Sequence, residues 1–113
     1  MADANESLTD LYNTLVEAHD QINVQRMKSD DDDLRDAMRT EMMEITHRID
    51  LVQSQLFTKQ TDAIDKGVAK VDGAKADLDT ALKNVIGLKS FVNSCTAFLK
   101  VVDTAIDLVK KLP

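Results

Sequence analysis

ALKNVIGLKSFV, Ala81 to Val92, lies in the middle of the longest apolar pattern in this 113-residue chain. The fold depends on whether it is part of one helix or the turn between two. Read by sevens from Ile64, the chain gives Val71, Leu78, Val85, Val92, Leu99 and Ile106. Three positions on, the row is Gly67, Ala74, Ala81, Leu88, Cys95, Val102 and Val109. This is the a/d seam of a coiled coil, held in phase from 64 to 109. Gly87 argues for a turn, since glycine in a helix interior is disfavoured by ~1 kcal/mol against alanine. The unbroken phase argues the other way, because two helices joined by a turn have no need to keep register. The expectation is one long helix over about 60–111; the alternative is a break near Gly87, giving four helices.

Upstream, no glycine or proline occurs before Gly67, so the apolar period must segment the chain. Leu8, Leu11, Tyr12, Leu15, Ala18, His19 and Ile22 share one helical face. Met38, Met42, Ile45, Ile49, Val52 and Leu56 share another, out of step with the first. They predict an antiparallel pair over about 5–28 and 30–57, the first capped by Asn5 or Ser7. The fold class expected is therefore an all-α helical bundle with coiled-coil character, in a single domain over 1–113. The core must be aliphatic: only Tyr12, Phe57, Phe91 and Phe98 are aromatic.

The net charge of −6 argues against general nucleic-acid binding, which needs a basic face to displace counterions, and leaves room for a locally basic patch. It is unevenly spread: residues 1–57 carry −8 and residues 58–113 carry +2. A folded-back chain would set these opposite charges beside one another. Cys95 is the only cysteine, which suits a reducing compartment. The beginning of the chain lacks the basic and apolar regions of a signal peptide. The reading is of a soluble cytoplasmic protein, with signal-less secretion as the other compatible route.

The run Asp30, Asp31, Asp32, Asp33 fails as a calcium loop, since Leu34 and Arg35 stand where a ligand and the turn glycine are required. It reads instead as a helix N-terminus capped by Ser29, with carboxylates beside the unpaired N–H groups. The acidic cluster also suits a basic protein partner. Glu44 and His47 form one Glu-x-x-His pair, where a di-metal bundle uses two. "HRIDL" from His47 matches the His-x-(Leu/Ile)-Lys-Gly pattern of phosphotransfer bundles only at His47 and Ile49; Asp50 would repel a phosphoryl group. "HDQIN" from His19 matches an H-box at three positions, with His19 on an apolar face. No nucleophile constellation or phosphate loop is present, so no catalytic residue, cofactor or metal is expected.

The stretch Val85–Val109 is apolar more than halfway round, adding Ile86, Phe91, Phe98, Val101 and Leu108 to the seam. Two shorter upstream faces would leave part of such a helix uncovered, and uncovered apolar surface usually means a partner. The leading expectation is a non-enzymatic interaction or assembly module, self-associating through Leu88, Phe91, Val92, Cys95, Phe98, Leu99, Val102, Ile106 and Val109. One alternative uses the same segment at a lipid surface. The other is a phosphotransfer bundle centred on His47 or His19.

Overall fold

The computed structural model describes residues 4–84 and 87–111. The described residues form four helices, α1 (Glu6–Lys28), α2 (Asp32–Gln53), α3 (Asp62–Lys83) and α4 (Leu88–Lys110). The long helix expected over 60–111 is thus two helices, and the break falls where Gly87 pointed. Val85 and Ile86, on and beside the expected seam, lie outside the described residues.

The first three helices start where the sequence supplies a side-chain cap, and α4 starts without one. The Asn5 side-chain oxygen accepts from the Leu8 N–H at 3.1 Å, and the Thr61 hydroxyl does the same for Ile64 at 3.2 Å. In the aspartate run the cap is Asp31, which accepts from the Leu34 N–H at 3.2 Å, with Asp32 and Asp33 in the first turn. Ser29 is not that cap. It closes α1, and its hydroxyl accepts from the Asp31 N–H at 3.2 Å. Gly87 precedes α4 in an extended conformation open to any residue, with space where a Cβ would lie. Its role is local release from the helix, not a backbone shape unique to glycine.

Consecutive helices pair as α1–α2 and α3–α4, joined by short links. The hairpins lie side by side, α1 against α3 and α2 against α4, while α2 and α3 stand on a diagonal without contact. Ser7 meets Asp65, Thr14 meets Asp72 and Glu17 meets Lys75, each pair 58 positions apart, so α1 and α3 run parallel. The link over 54–61 crosses the bundle end, and buried Asn5 pins it. The Asn5 backbone N–H donates to the Leu56 carbonyl at 2.6 Å, and its side-chain amide donates to the Thr58 carbonyl at 3.1 Å.

Each helix spans about 33 Å at 1.5 Å per residue, so four near-equal faces cover one another inside a bundle of 48 × 21 × 19 Å. Buried rows alternate by threes and fours: Leu8, Leu11, Leu15, Ala18, Ile22 in α1; Ile64, Val68, Val71, Lys75, Leu78, Leu82 in α3. Two expectations of register change here. Val68, Lys75 and Leu82 fill the row assigned to Gly67, Ala74 and Ala81, although Gly67 is also buried. In α4 the central rows are Phe91, Phe98, Ala105 and Cys95, Val102, Val109, while Val92 is only half-buried. The phase that looked continuous across Gly87 slips by one residue.

Candidate functional site

Seven of the nine side chains expected to form an association face are interior. Phe91, Cys95, Phe98, Leu99, Val102, Ile106 and Val109 pack in this chain's own core; Val92 is half-buried and only Leu88 is exposed. With α3 ending at Lys83 and α4 starting at Leu88, α3 and α2 pack against the face for which a partner is invoked above. Burial and the nearby Glu41 carboxylate push the Cys95 thiol up to about 12.

The remaining candidates stand apart from one another. Asp30 to Asp33 are surface residues at the α1–α2 link, with Asp31 and the first turn of α2 accounting for three of them. No group of three metal-ligating side chains occurs among the described residues. His47 is exposed on α2, and its neighbour Glu44 is paired with Arg48 at 3.0 Å. His19, half-buried on α1, has its ring Nδ1 3.2 Å from Asp20. The two histidines stand on different helices, and among the described residues the one side-chain hydrogen bond of either is that of His19 with Asp20.

What the fold does assemble was not read from the sequence: two polar walls where the hairpins meet. On the α1/α3 wall, Ser7 donates to Asp65 at 2.5 Å and Thr14 donates to Asp72 at 3.3 Å. Partial burial, then the Asp72 carboxyl beside it, then Glu17, hold Asp10 above the usual carboxylate range. The cation of this wall is Lys75, only 7% exposed, whose ammonium is 2.7 Å from Asp79 and 4.0 Å from Glu17. Lys75 thus serves Asp79 and Glu17 at one end of the wall, while Asp65, Asp10 and Asp72 have no cation in an ion pair with them among the described residues. Lys75 occupies a core row of α3, and a lysine interrupting that row was its sequence signal. The carboxylate pairs gave none, because pairing across 58 positions follows only from knowing that α1 and α3 are parallel.

Above Asp79 the wall opens into a groove of about 330 Å³ lined by Gln21, Val24, Gln25, Leu82 and Lys83. Val24 is an exposed apolar side chain there, and Met27, one turn on along α1, is 71% exposed.

The α2/α4 wall is built differently. Arg48 donates to both oxygens of Asp103, at 2.7 and 3.0 Å, and to the Glu44 carboxylate at 3.0 Å and carbonyl at 2.9 Å. Its planar fork ties the two helices in a bidentate pair. Burial, with the Glu44 charge behind it and Arg48 opposing, raises Glu41. No helix among the described residues is long and apolar enough to cross a membrane. Comparison with known proteins gives no matching family model, no matching curated protein and no matching solved structure.

Proposed function

We propose that this chain is a non-enzymatic protein–protein interaction module that docks a basic partner along the α1/α3 wall. The observation that carries the reading is the uncompensated charge of that wall: Asp10 and Asp72 face each other, and the buried Lys75 pairs only with Glu17 and Asp79. Like charges held together on a surface weaken the fold that carries them. A cationic partner would relieve that repulsion, and its approach would be accelerated by the field of the whole acidic chain. The groove at Val24 and Leu82 lies at the end of the same wall and supplies an apolar anchor. An amphipathic basic helix presents both a cationic face and an apolar one. Self-association through α4 is not part of this proposal, since that face is interior.

A designed basic amphipathic peptide, titrated into isotope-labelled protein, tests it. Amide shifts should concentrate on α1 and α3 around Asp10, Glu17, Asp72 and Val24, and binding should weaken steeply with salt. Glu17→Lys with Asp72→Lys should abolish it while circular dichroism stays helical. Shifts spread over all four helices, or binding unchanged in the double variant, would overturn the reading.

A further inference from the structure

On the opposite side of α3 lies a second groove, between α3 and α4, of about 390 Å³. Ala63, Gly67, Val101 and Leu108 give it an apolar floor; Thr104, Lys66 and Lys70 edge it. It differs in charge from the grooves on the α1/α3 and α2/α4 walls. The α1/α3 groove includes Asp79, and the α2/α4 groove includes Glu41, Glu44 and Asp103. This one has two lysines and no carboxylate in its lining, in a chain of net charge −6.

The lysines stand at i and i+4 on α3, where like charges repel along a helix. Both are exposed, and neither makes an ion pair among the described residues. Asp62, one turn below Lys66, makes none with it either. The floor has a specific origin. At Gly67 a Cβ would lie 2.8 Å from the Leu108 Cδ1, so the missing side chain lets Leu108 lie across α3. Leu108 and Val101, two turns apart on α4, remain half-buried, with part of each facing the groove.

We infer that this groove binds a free single-chain anionic amphiphile, its headgroup between Lys66 and Lys70 and its tail along Val101 to Leu108. Charge complementarity selects the head: two unpaired ammonium groups fit a carboxylate or sulfate and repel a cation. Length selects the size. From 63 to 70, and from 101 to 108, the lining spans two turns, about 10 Å, which suits a medium-length acyl tail. A docked protein helix would need a far larger contact, on the order of 800 Å² per partner. The site is separate from the acidic wall, whose charge would repel the same ligand.

The test is a titration of monomeric decanoate, below its micelle concentration, into the isotope-labelled protein. Saturable amide shifts on residues 63–70 and 101–108 are expected. Decyltrimethylammonium, with the same tail and opposite head, should bind at least about tenfold more weakly. Lys66→Glu with Lys70→Glu should lower affinity by a similar factor. Thr104→Trp, at an exposed position, should block the groove while the helical signal and melting curve stay near those of the parent. Equal binding of the two amphiphiles, absence of saturation, or binding seen only with anionic vesicles would overturn the inference. So would saturation of the same residues by an acidic amphipathic peptide when decanoate gives none, or a concentration-dependent dimer that masks them.

Discussion

The two walls that join the hairpins make opposite use of charge. On the α2/α4 side one arginine holds two carboxylates, and the contact closes. On the α1/α3 side carboxylate faces carboxylate, and the ammonium of Lys75 serves only the Glu17 and Asp79 end. Both walls sit over the same aliphatic core, so packing does not require the difference. A bundle needs only one of them to hold its hairpins in register. The other is free to carry a surface that costs stability and attracts a partner, a division expected where function and folding compete.

The largest effect should come from beneath both walls. Phe98 is fully buried in α4. Phe98→Ala should lower stability by about 3–5 kcal/mol, and urea unfolding should remain a single transition by fluorescence-free probes on either hairpin. Two separated transitions would break the premise that the walls share one core.

Arg48→Ala comes next. It leaves Asp103 and Glu44 without their shared cation across α2 and α4, and it should cost about 1–3 kcal/mol by the same measurement. If Asp72→Asn on the other wall costs as much, the contrast between a closing wall and a repelling one is wrong.

Cys95 gives a probe behind the α2/α4 wall. Its thiol is pushed up to about 12, by burial first and by Glu41 second. A folded pKa above the unfolded value means that the stability tied to the neutral thiol is fully present below about 9 and is lost as pH rises toward about 12. Alkaline unfolding should therefore shift to higher pH in Cys95→Ala, relative to that variant's own neutral stability. Native labelling by a thiol reagent should be slow and should jump in denaturant. Labelling at the rate of a free peptide thiol would place Cys95 outside the core.

How far the sequence reveals these features depends on the range over which each is decided. Local chemistry was legible: the all-α class, the Asn5 cap and the helix N-terminus within the aspartate run follow from neighbours a few positions apart. Between one helix over 60–111 and the break near Gly87 that the structure has, the periodicity favours the first for a physical reason. A helix apolar over more than half its circumference fits several registers, so the continuity of Val92, Leu99 and Ile106 with Ile64, Val71 and Leu78 carried little information. Gly87 was the better signal. The nine residues of the expected association face belong to a helix that, read as one piece, lacks enough cover; split in two, it has seven of them interior. The walls were not legible at all. Ser7 with Asp65, or Arg48 with Asp103, becomes a pair only when the 54–61 link crosses the bundle end and sets the hairpins parallel. That crossing is fixed by Asn5 holding the carbonyls of Leu56 and Thr58, contacts of a loop that no periodicity describes.

The smallest expected effect decides most about the α1/α3 wall. Asp72→Asn keeps an oxygen for the Thr14 hydroxyl, now 3.3 Å from Asp72, and removes one charge beside Asp10. Near neutral pH it should stabilise the protein by about 0.2–0.5 kcal/mol, the scale of one exposed like-charge contact. The sign follows from Asp10. Its folded pKa is raised above 3.8, so the native state holds the proton more tightly than the unfolded chain. The associated stability is fully present below 3.8 and is lost as pH rises through the raised value. Acidification from neutrality should therefore first strengthen this wall. Glu41 on the other wall is raised as well and contributes in the same direction, so the parent curve mixes the two. Asp72→Asn should lessen the part due to Asp10, leaving what its burial and Glu17 contribute, and should not touch the part that Glu41→Gln removes. If Asp72→Asn instead lowers the melting temperature at neutral pH, the carboxyl is holding the wall together, and the α1/α3 side would be a structural contact like its counterpart across the bundle.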